Sequence, residues 1–330
     1  MLPERISARA ATVMCVMTLA LIIMYSCKGG TARNKPAAKT GIENTAKTGT
    51  QRFWPYFDGN YPMVVTDEKA RSEYFCSHSW DEFDFSDTLS LSRDTFNVLS
   101  GFAGFVQSLN MLDSPETARG IMRSLMSRAS ESEKMMEWIV WQAREVLADP
   151  NSPVRDSELF MPVVEAQLES GFYSYADSLR LRYTLDLLMQ NRPGQRANDF
   201  VYTVKSGRRY SLYDIKSQYT LLFFNNPGCP MCRQVREELL HSQTVSGMVR
   251  EGSLTVLAMY PDPELDEWTA HYDEIPAEWT NAYDSDTAIR RRRLYDVNAI
   301  PSLYLLDRNK TVLLKDVTDV SLVDQILAGR

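Results

Sequence analysis

Tyr219-Thr-Leu-Leu-Phe-Phe224, then Asn225-Asn-Pro-Gly228, then Cys229-Pro-Met-Cys232, is the stretch on which the fold turns. The first six residues are an apolar run of strand length. Asn-Asn-Pro-Gly is a turn. Arg233-Gln-Val-Arg-Glu-Glu-Leu-Leu240 carries a helical pattern. Two thiols spaced i, i+3 at a strand-to-helix junction are the arrangement of a dithiol redox centre. Cys229 falls at the helix N-terminus, where unpaired N–H groups and the helix dipole favour thiolate over thiol. Cys232 lies about one turn later, within reach of a disulfide to it. Pro230 lacks an N–H and Met231 is apolar, so neither adds charge to the motif. Ile300-Pro301, just before the apolar run Ser302-Leu-Tyr-Leu-Leu306, strengthens the reading.

From Ala197 onward the chain alternates strands and helices. Phe200, Tyr202 and Val204 alternate, Gly207 turns the chain, and Tyr210 and Leu212 follow, which predicts a hairpin. After the dithiol, a helix to about Met248 leads to the strand Leu254–Tyr260. A polar helical stretch over 264–273, a segment over 288–295, the strand Ser302–Leu306, a turn at Asp307-Arg-Asn-Lys310, the strand Thr311–Lys315 and a closing helix over 321–327 complete the order.

Upstream, residues 53–188 read as helical. Phe96, Leu99, Phe102, Val106 and Leu109 recur at helical steps, and Ser114-Pro115-Glu116 is a helix start. Met135, Trp138, Ile139 and Val146 mark another helix, ended by Asp149-Pro-Asn-Ser-Pro153. Further helices follow over 159–168 and 175–188, and Asn191-Arg-Pro-Gly194 closes the region. The expected architecture is therefore a two-domain α+β chain. An all-α domain over 53–196 precedes an α/β, thioredoxin-like domain over 197–330.

The N-terminus reads as an export signal. Arg5 and Arg9 precede a segment from Ala10 to Ser26 without charge, and Cys27 follows Met24-Tyr-Ser26. Residues 1–27 resemble a lipoprotein signal peptide with Cys27 as the lipidated residue. An uncleaved membrane anchor is the alternative. Residues 28–52 lack aromatics and carry Lys and Arg with Glu43 as the lone acid, which predicts a flexible tether. Either reading puts the rest of the chain in the cell envelope, facing the periplasm.

Composition narrows the classes. Of 330 residues, 44% are apolar, so a packed fold is expected. The net charge of −7 and the lack of a basic, aromatic-laced patch give no reason to expect a nucleic-acid partner. Five cysteines and three histidines offer no second Cys-x-x-Cys and no His pair, so a tetrahedral zinc set is not expected; no metal or cofactor is called for. Cys76 beside His78 reads as a buried small side chain near a hydrogen-bonded imidazole. Arg290-Arg-Arg-Arg293 reads as a solvated segment, and Trp80, Phe83 and Phe85 as core.

Asn198-Asp-Phe200, the dithiol motif with its strand, and Tyr295-Asp-Val-Asn-Ala-Ile-Pro301-Ser-Leu-Tyr-Leu-Leu-Asp307 together resemble the extracytoplasmic thioredoxin-like thiol–disulfide oxidoreductases, a membrane-tethered group related to cytochrome c maturation proteins. Residues 53–196 resemble the helical domain of unknown function that precedes such modules in lipoproteins of the Bacteroidetes. The resemblance implies Cys229 and Cys232 as catalytic pair, with Pro230 and Met231 between them. It also implies a cis Ile300–Pro301 bond beside the dithiol, with Ile300 and Pro301 binding substrate. Protein or peptide thiols and disulfides are the implied partners, with a membrane electron donor behind them. Two acids of the family are missing: Phe223 stands where many thioredoxins carry a buried Asp, and Val235 where the maturation group often carries Glu. Glu237 lies on another face of the helix. The missing acids leave open a second reading, a binding lipoprotein whose helical domain docks a partner. A peroxidase would want a Thr three residues before the cysteine, where Asn226 stands.

Overall fold

The computed structural model describes residues 59–91 and 94–329. The signal segment, Cys27 and the tether lie outside the described residues. Among those described, no helix is long and apolar enough to cross a membrane. The chain divides by compactness into two units, 1–146 and 147–330.

The first unit is helical. Helix α1 (Glu68–His78) is capped by Asp67, whose carboxylate accepts the Ala70 N–H at 2.8 Å. Helix α2 spans Thr95–Asn110. Helix α3 (Pro115–Ala129) starts as the sequence predicts, with Ser114 accepting the Thr117 N–H and Pro115 in the first turn, and α4 (Glu133–Ala143) runs on into a π-turn. Phe102, Phe105, Val106, Met122, Met126, Met135 and Ile139 form its interior. The α2 stripe differs from expectation. Phe96 is 39% exposed, whereas Val98 and Phe105 are buried with Phe102, Val106 and Leu109. The buried face runs 98, 102, 105, 106, 109, and Phe96 sits on another side of the cylinder. Trp80 and Phe85 are buried, and Phe83 meets Trp80 edge-on, so this aromatic set is core.

The second unit carries helices α5 (Ser157–Glu169) and α6 (Tyr175–Leu188), then a seven-stranded sheet. The strands are β1 (Val201–Val204), β2 (Arg209–Ser211), β3 (Tyr219–Phe224), β4 (Leu254–Tyr260), β5 (Thr280–Tyr283), β6 (Ser302–Leu306) and β7 (Val312–Val317), in the order β2-β1-β5-β4-β3-β6-β7. Strand β3 is parallel to β4 and antiparallel to β6. Every residue of β3 is buried because both faces of the sheet are covered. The two-residue period of a strand sends Tyr219, Leu221 and Phe223 into one core and Leu222 and Phe224 into the other. Helix α7 (Pro230–His241) supplies Cys232, Val235 and Leu239 to the first core, and α11 (Val320–Ala328) adds Val320, Val323 and Leu327.

Four elements depart from the sequence reading. The helix expected to run to Met248 breaks at Ser242, whose side chain accepts the Val245 N–H at 3.0 Å and starts α8 (Gln243–Arg250). Strand β5 had no counterpart in the reading. The expected 288–295 segment holds only the short α10 (Ala288–Arg291). The polar stretch becomes α9 (Leu265–Ala270) and a 3-10 turn over Tyr272–Glu274.

The compact division after Val146 also falls earlier than the change from helices to strands at 196. Polar bonds join 147–196 to the sheet. Arg155 pairs with Asp316 of β7, Lys315 Nζ donates to the Leu188 carbonyl at 2.5 Å, and Asn191 Nδ2 donates to the Leu294 carbonyl at 2.7 Å. Arg192 holds Glu158 through two bonds, of 2.9 and 2.6 Å.

Candidate active site

Strand β3 ends at Phe224, directly opposite Ser302 at the start of β6. The dithiol turn and the Ile300–Pro301 segment therefore emerge at the same end of neighbouring strands. The Ile300–Pro301 peptide is cis, as the resemblance implies. Ile300 and Cys229 pack against the same core cluster, and Pro301 is buried.

The turn that carries the thiols depends on Gly228, which has φ +70°. A side chain there meets no neighbour but is forced into the left-handed region. Gly228→Ala is expected to cost about 1 kcal/mol, read as a lower urea midpoint. An unchanged midpoint would mean that the turn relaxes without strain.

Cys229 is the N-cap of α7, with Pro230 in the first turn, where its missing N–H costs nothing. The Cys232 N–H donates to Cys229 Sγ at 3.2 Å. Cys229 is half-buried, Pro230 exposed, Met231 48% exposed, and Cys232 buried. Neither cysteine is in a disulfide in this structure. The Asn226 N–H donates to Cys232 Sγ at 3.5 Å. Burial pushes the Cys232 thiol up to about 12; the neighbouring Cys229 adds to this, whereas the Asn226 N–H and the Arg236 charge oppose it. Both sulfurs accept a backbone N–H, but they are unequal in burial: Cys229 is half-buried, whereas Cys232 is buried and its thiol is pushed up.

Behind the thiols lies a cavity of about 20 Å³. Asn226, Cys229, Cys232, Arg236, His271 and Glu274 are among the residues that line it. Arg236 Nη1 donates to Glu274 Oε2 at 3.1 Å, and His271 Nδ1 donates to Glu274 Oε1 at 2.6 Å. These bonds, His271 first, hold the Glu274 carboxyl below the ordinary range. Phe223 and Val235, at the two acid positions of the family pattern, are buried in the apolar core.

The remaining candidates are placed elsewhere. Cys76 is buried, and burial pushes its thiol to about 11. His78 turns its Nδ1 to the Tyr74 carbonyl and stacks on the Tyr74 ring. Among the described residues, no group of His, Cys, Asp and Glu gathers as a metal site. The Arg290–Arg293 run is partly engaged: Arg290 pairs with Asp262 at 2.6 Å and Arg293 lies over the Tyr183 ring. Sequence reasoning missed Arg236, His271 and Glu274. Their only signal was that Arg236 follows Cys232 at i+4, one turn along the same helix face.

The family described as Domain of unknown function (DUF5106) matches residues 28–191. A thioredoxin-like protein from Bacteroides caccae is 36% identical, covers 82% of this chain and 97% of its own, and superposes with a TM-score of 0.77. The C-terminal domain of an uncharacterized protein from Bacteroides fragilis is 49% identical over 42% of this chain and 98% of its own, with a TM-score of 0.41. The thioredoxin domain of a thiol-disulfide oxidoreductase from Bacteroides vulgatus is 22% identical over 42% of this chain and 97% of its own, with a TM-score of 0.37. No curated protein matches the chain.

Proposed function

The chain belongs to the thioredoxin-like proteins, and from that membership we propose that it is an envelope thiol–disulfide oxidoreductase, working reductively on protein or peptide disulfides through Cys229 and Cys232. The observation that carries this reading is the inequality of the two thiols. The half-buried Cys229 sits at a helix N-terminus and accepts an N–H at 3.2 Å, while Cys232 waits buried beside it.

The mechanism follows from that inequality. Cys229 as thiolate attacks a substrate disulfide, the substrate S–S bond breaks, and one substrate thiolate leaves. Cys232 then loses its proton and attacks Cys229 Sγ. The mixed disulfide breaks, the second substrate thiolate departs, and the protein is left with a Cys229–Cys232 disulfide. The substrate gains the two electrons that the dithiol gives up. The cis Ile300–Pro301 segment, just before β6 and at the same end of the sheet as the pair, offers backbone groups to a substrate chain, and the exposed Met231 offers an apolar contact. A membrane electron donor returns the pair to the dithiol form. Cys27 carries the lipid that holds the chain at the membrane, with the redox unit on the periplasmic side.

Cys232→Ser tests the reading. With the second thiol gone, captured substrates have no internal displacement, and the full-length variant is expected to accumulate mixed disulfides at Cys229, recovered in the membrane fraction and released by a reductant. Absence of any mixed disulfide would favour the binding-lipoprotein reading, and recovery in the soluble fraction would remove the anchor.

A further inference from the structure

We propose that Glu274, clamped by Arg236 and His271 across the small cavity behind the thiols, receives the Cys232 proton through one intervening water when that thiol attacks. The proposal rests on the thiol–disulfide reading and assigns the group which that reading lacks.

The need is set by burial. Cys232 is 4% exposed, and a neutral thiol is not the attacking species. Its proton has to leave before the second displacement. The flanking apolar positions Phe223 and Val235 cannot take it, and Glu237 and Glu238 are exposed on α7. Among the described residues lining the cavity, Glu274 is the only carboxylate. A volume of about 20 Å³ exceeds the ~10–15 Å³ that one water needs.

The cavity wall is suited to such a water. Asn226 gives its N–H to Cys232 Sγ, and its own Oδ1 is buried without a hydrogen-bond partner. A water there accepts from the Cys232 S–H and has Asn226 Oδ1 and Glu274 as acceptors, the two to four polar neighbours that a buried water typically keeps. Exposure then rises along the path. The Arg236 side chain is 15% exposed, Glu274 34% and His271 36%, so a proton on Glu274 has an exit to solvent. The segment is fixed in place: Trp268 Nε1 donates to Asn281 Oδ1 at 2.9 Å, and Asn281 Nδ2 donates to the Tyr272 carbonyl at 3.0 Å. Arg236 and His271 are positioning residues that aim the carboxylate; because they also lower its basicity, the proton stays on Glu274 only transiently before it passes to solvent.

The proton balance is closed. The water passes one proton to Glu274 and takes one from Cys232. The Cys232 thiolate forms the S–S bond to Cys229 as the Cys229–substrate bond breaks, and Glu274 releases its proton to solvent. The charged and titratable groups lining the cavity beside Glu274 are Arg233 and Arg236 from α7 and His271 just after α9, with Glu267 of α9 behind His271, 3.9 Å from its Nε2. Cys229 is uncharged in the mixed disulfide, so its own titration does not enter the second displacement.

The test is a two-phase reaction of the reduced full chain with the aromatic disulfide dithiobis(nitrobenzoate), with the Cys229→Ser, Cys232→Ser chain as background for the other thiols. The first phase releases one aromatic thiolate as Cys229 is captured, and the second releases another as Cys232 displaces it. Glu274→Gln is expected to leave the first phase unchanged and to slow the second about 100-fold at neutral pH. The second phase of the variant is expected to become first order in hydroxide, while the wild type depends only weakly on pH. Glu274→Asp, which keeps a carboxylate but draws it back from the cavity, is expected to slow the second phase less than Glu274→Gln does, and it serves if the first variant does not fold. Equal slowing of both phases, or a second phase with wild-type rate and pH slope, would overturn the proposal. A wild type that shows neither phase would instead sink the thiol–disulfide reading itself.

Discussion

Cys229→Ser is expected to lower disulfide reduction by the full chain at least about 1,000-fold, the order seen when a nucleophile is removed and only binding remains. A serine hydroxyl keeps the cap: its oxygen can accept the Cys232 N–H that Cys229 Sγ accepts at 3.2 Å. Helix α7 therefore has no reason to unfold, and the stability of the variant is expected to stay within about 0.5 kcal/mol of wild type. The remaining thiol does not substitute. Cys232 is buried beneath the first position, and its thiol stays protonated at neutral pH. Stopped-flow reduction of a peptide disulfide together with urea unfolding separates the two effects. Retained activity in a stably folded Cys229→Ser chain would show that another sulfur does the chemistry.

The second large effect concerns Asp316. Its side chain is 6% exposed, it pairs with Arg155, and it accepts from Ser302 Oγ at 2.7 Å, one residue from Pro301. Burial raises this carboxyl to about 6 from an ordinary 3.8, outweighing Arg155 and Ser302, which pull the other way. The folded state then binds the proton more tightly than the unfolded chain. Stability is fully present below the unfolded value of 3.8 and falls as pH rises through about 6. The drop is on the order of 2–3 kcal/mol, and Asp316→Asn is expected to flatten it. Asn also tolerates the left-handed backbone that Asp316 adopts, with φ 54°. Asp316→Ala is expected to cost about 3 kcal/mol at neutral pH, because Arg155 keeps its burial and loses its partner. Urea midpoints from pH 4 to 8 decide the matter. A midpoint for the Ala variant within error of wild type would mean that the pair is neutral for stability.

Much of the redox unit was legible because its key elements are coded locally. Strand β3 is a run of six buried residues, the turn is spelled by Asn-Asn-Pro-Gly, and the helix cap is Cys229, the first cysteine of the motif. Strand β5 was not legible. Thr280-Asn-Ala-Tyr283 has neither an apolar run nor alternation, and its place is set from outside by β4, β1 and the Trp268–Asn281 bond. The break at Ser242 was hidden because Val235, Leu239 and Val245 continue an apolar stripe across it, all in one core. Arg236 and Glu274 meet across 38 residues of sequence, a separation no periodicity records. In the helical unit, Phe96 was assigned to the wrong face because two apolar periods overlap in α2, and only packing against α3 and α4 chooses between them.

The pairing of Arg155 with Asp316 bears on how such a chain can be inherited in pieces. A gene fusion that transplanted residues 197–330 alone would leave an acid interred without its counter-ion and strip the sheet of the helices bonded to it. Relatives in which the C-terminal block stands alone are expected to carry another residue at the position of Asp316, or a substitute cation beside it.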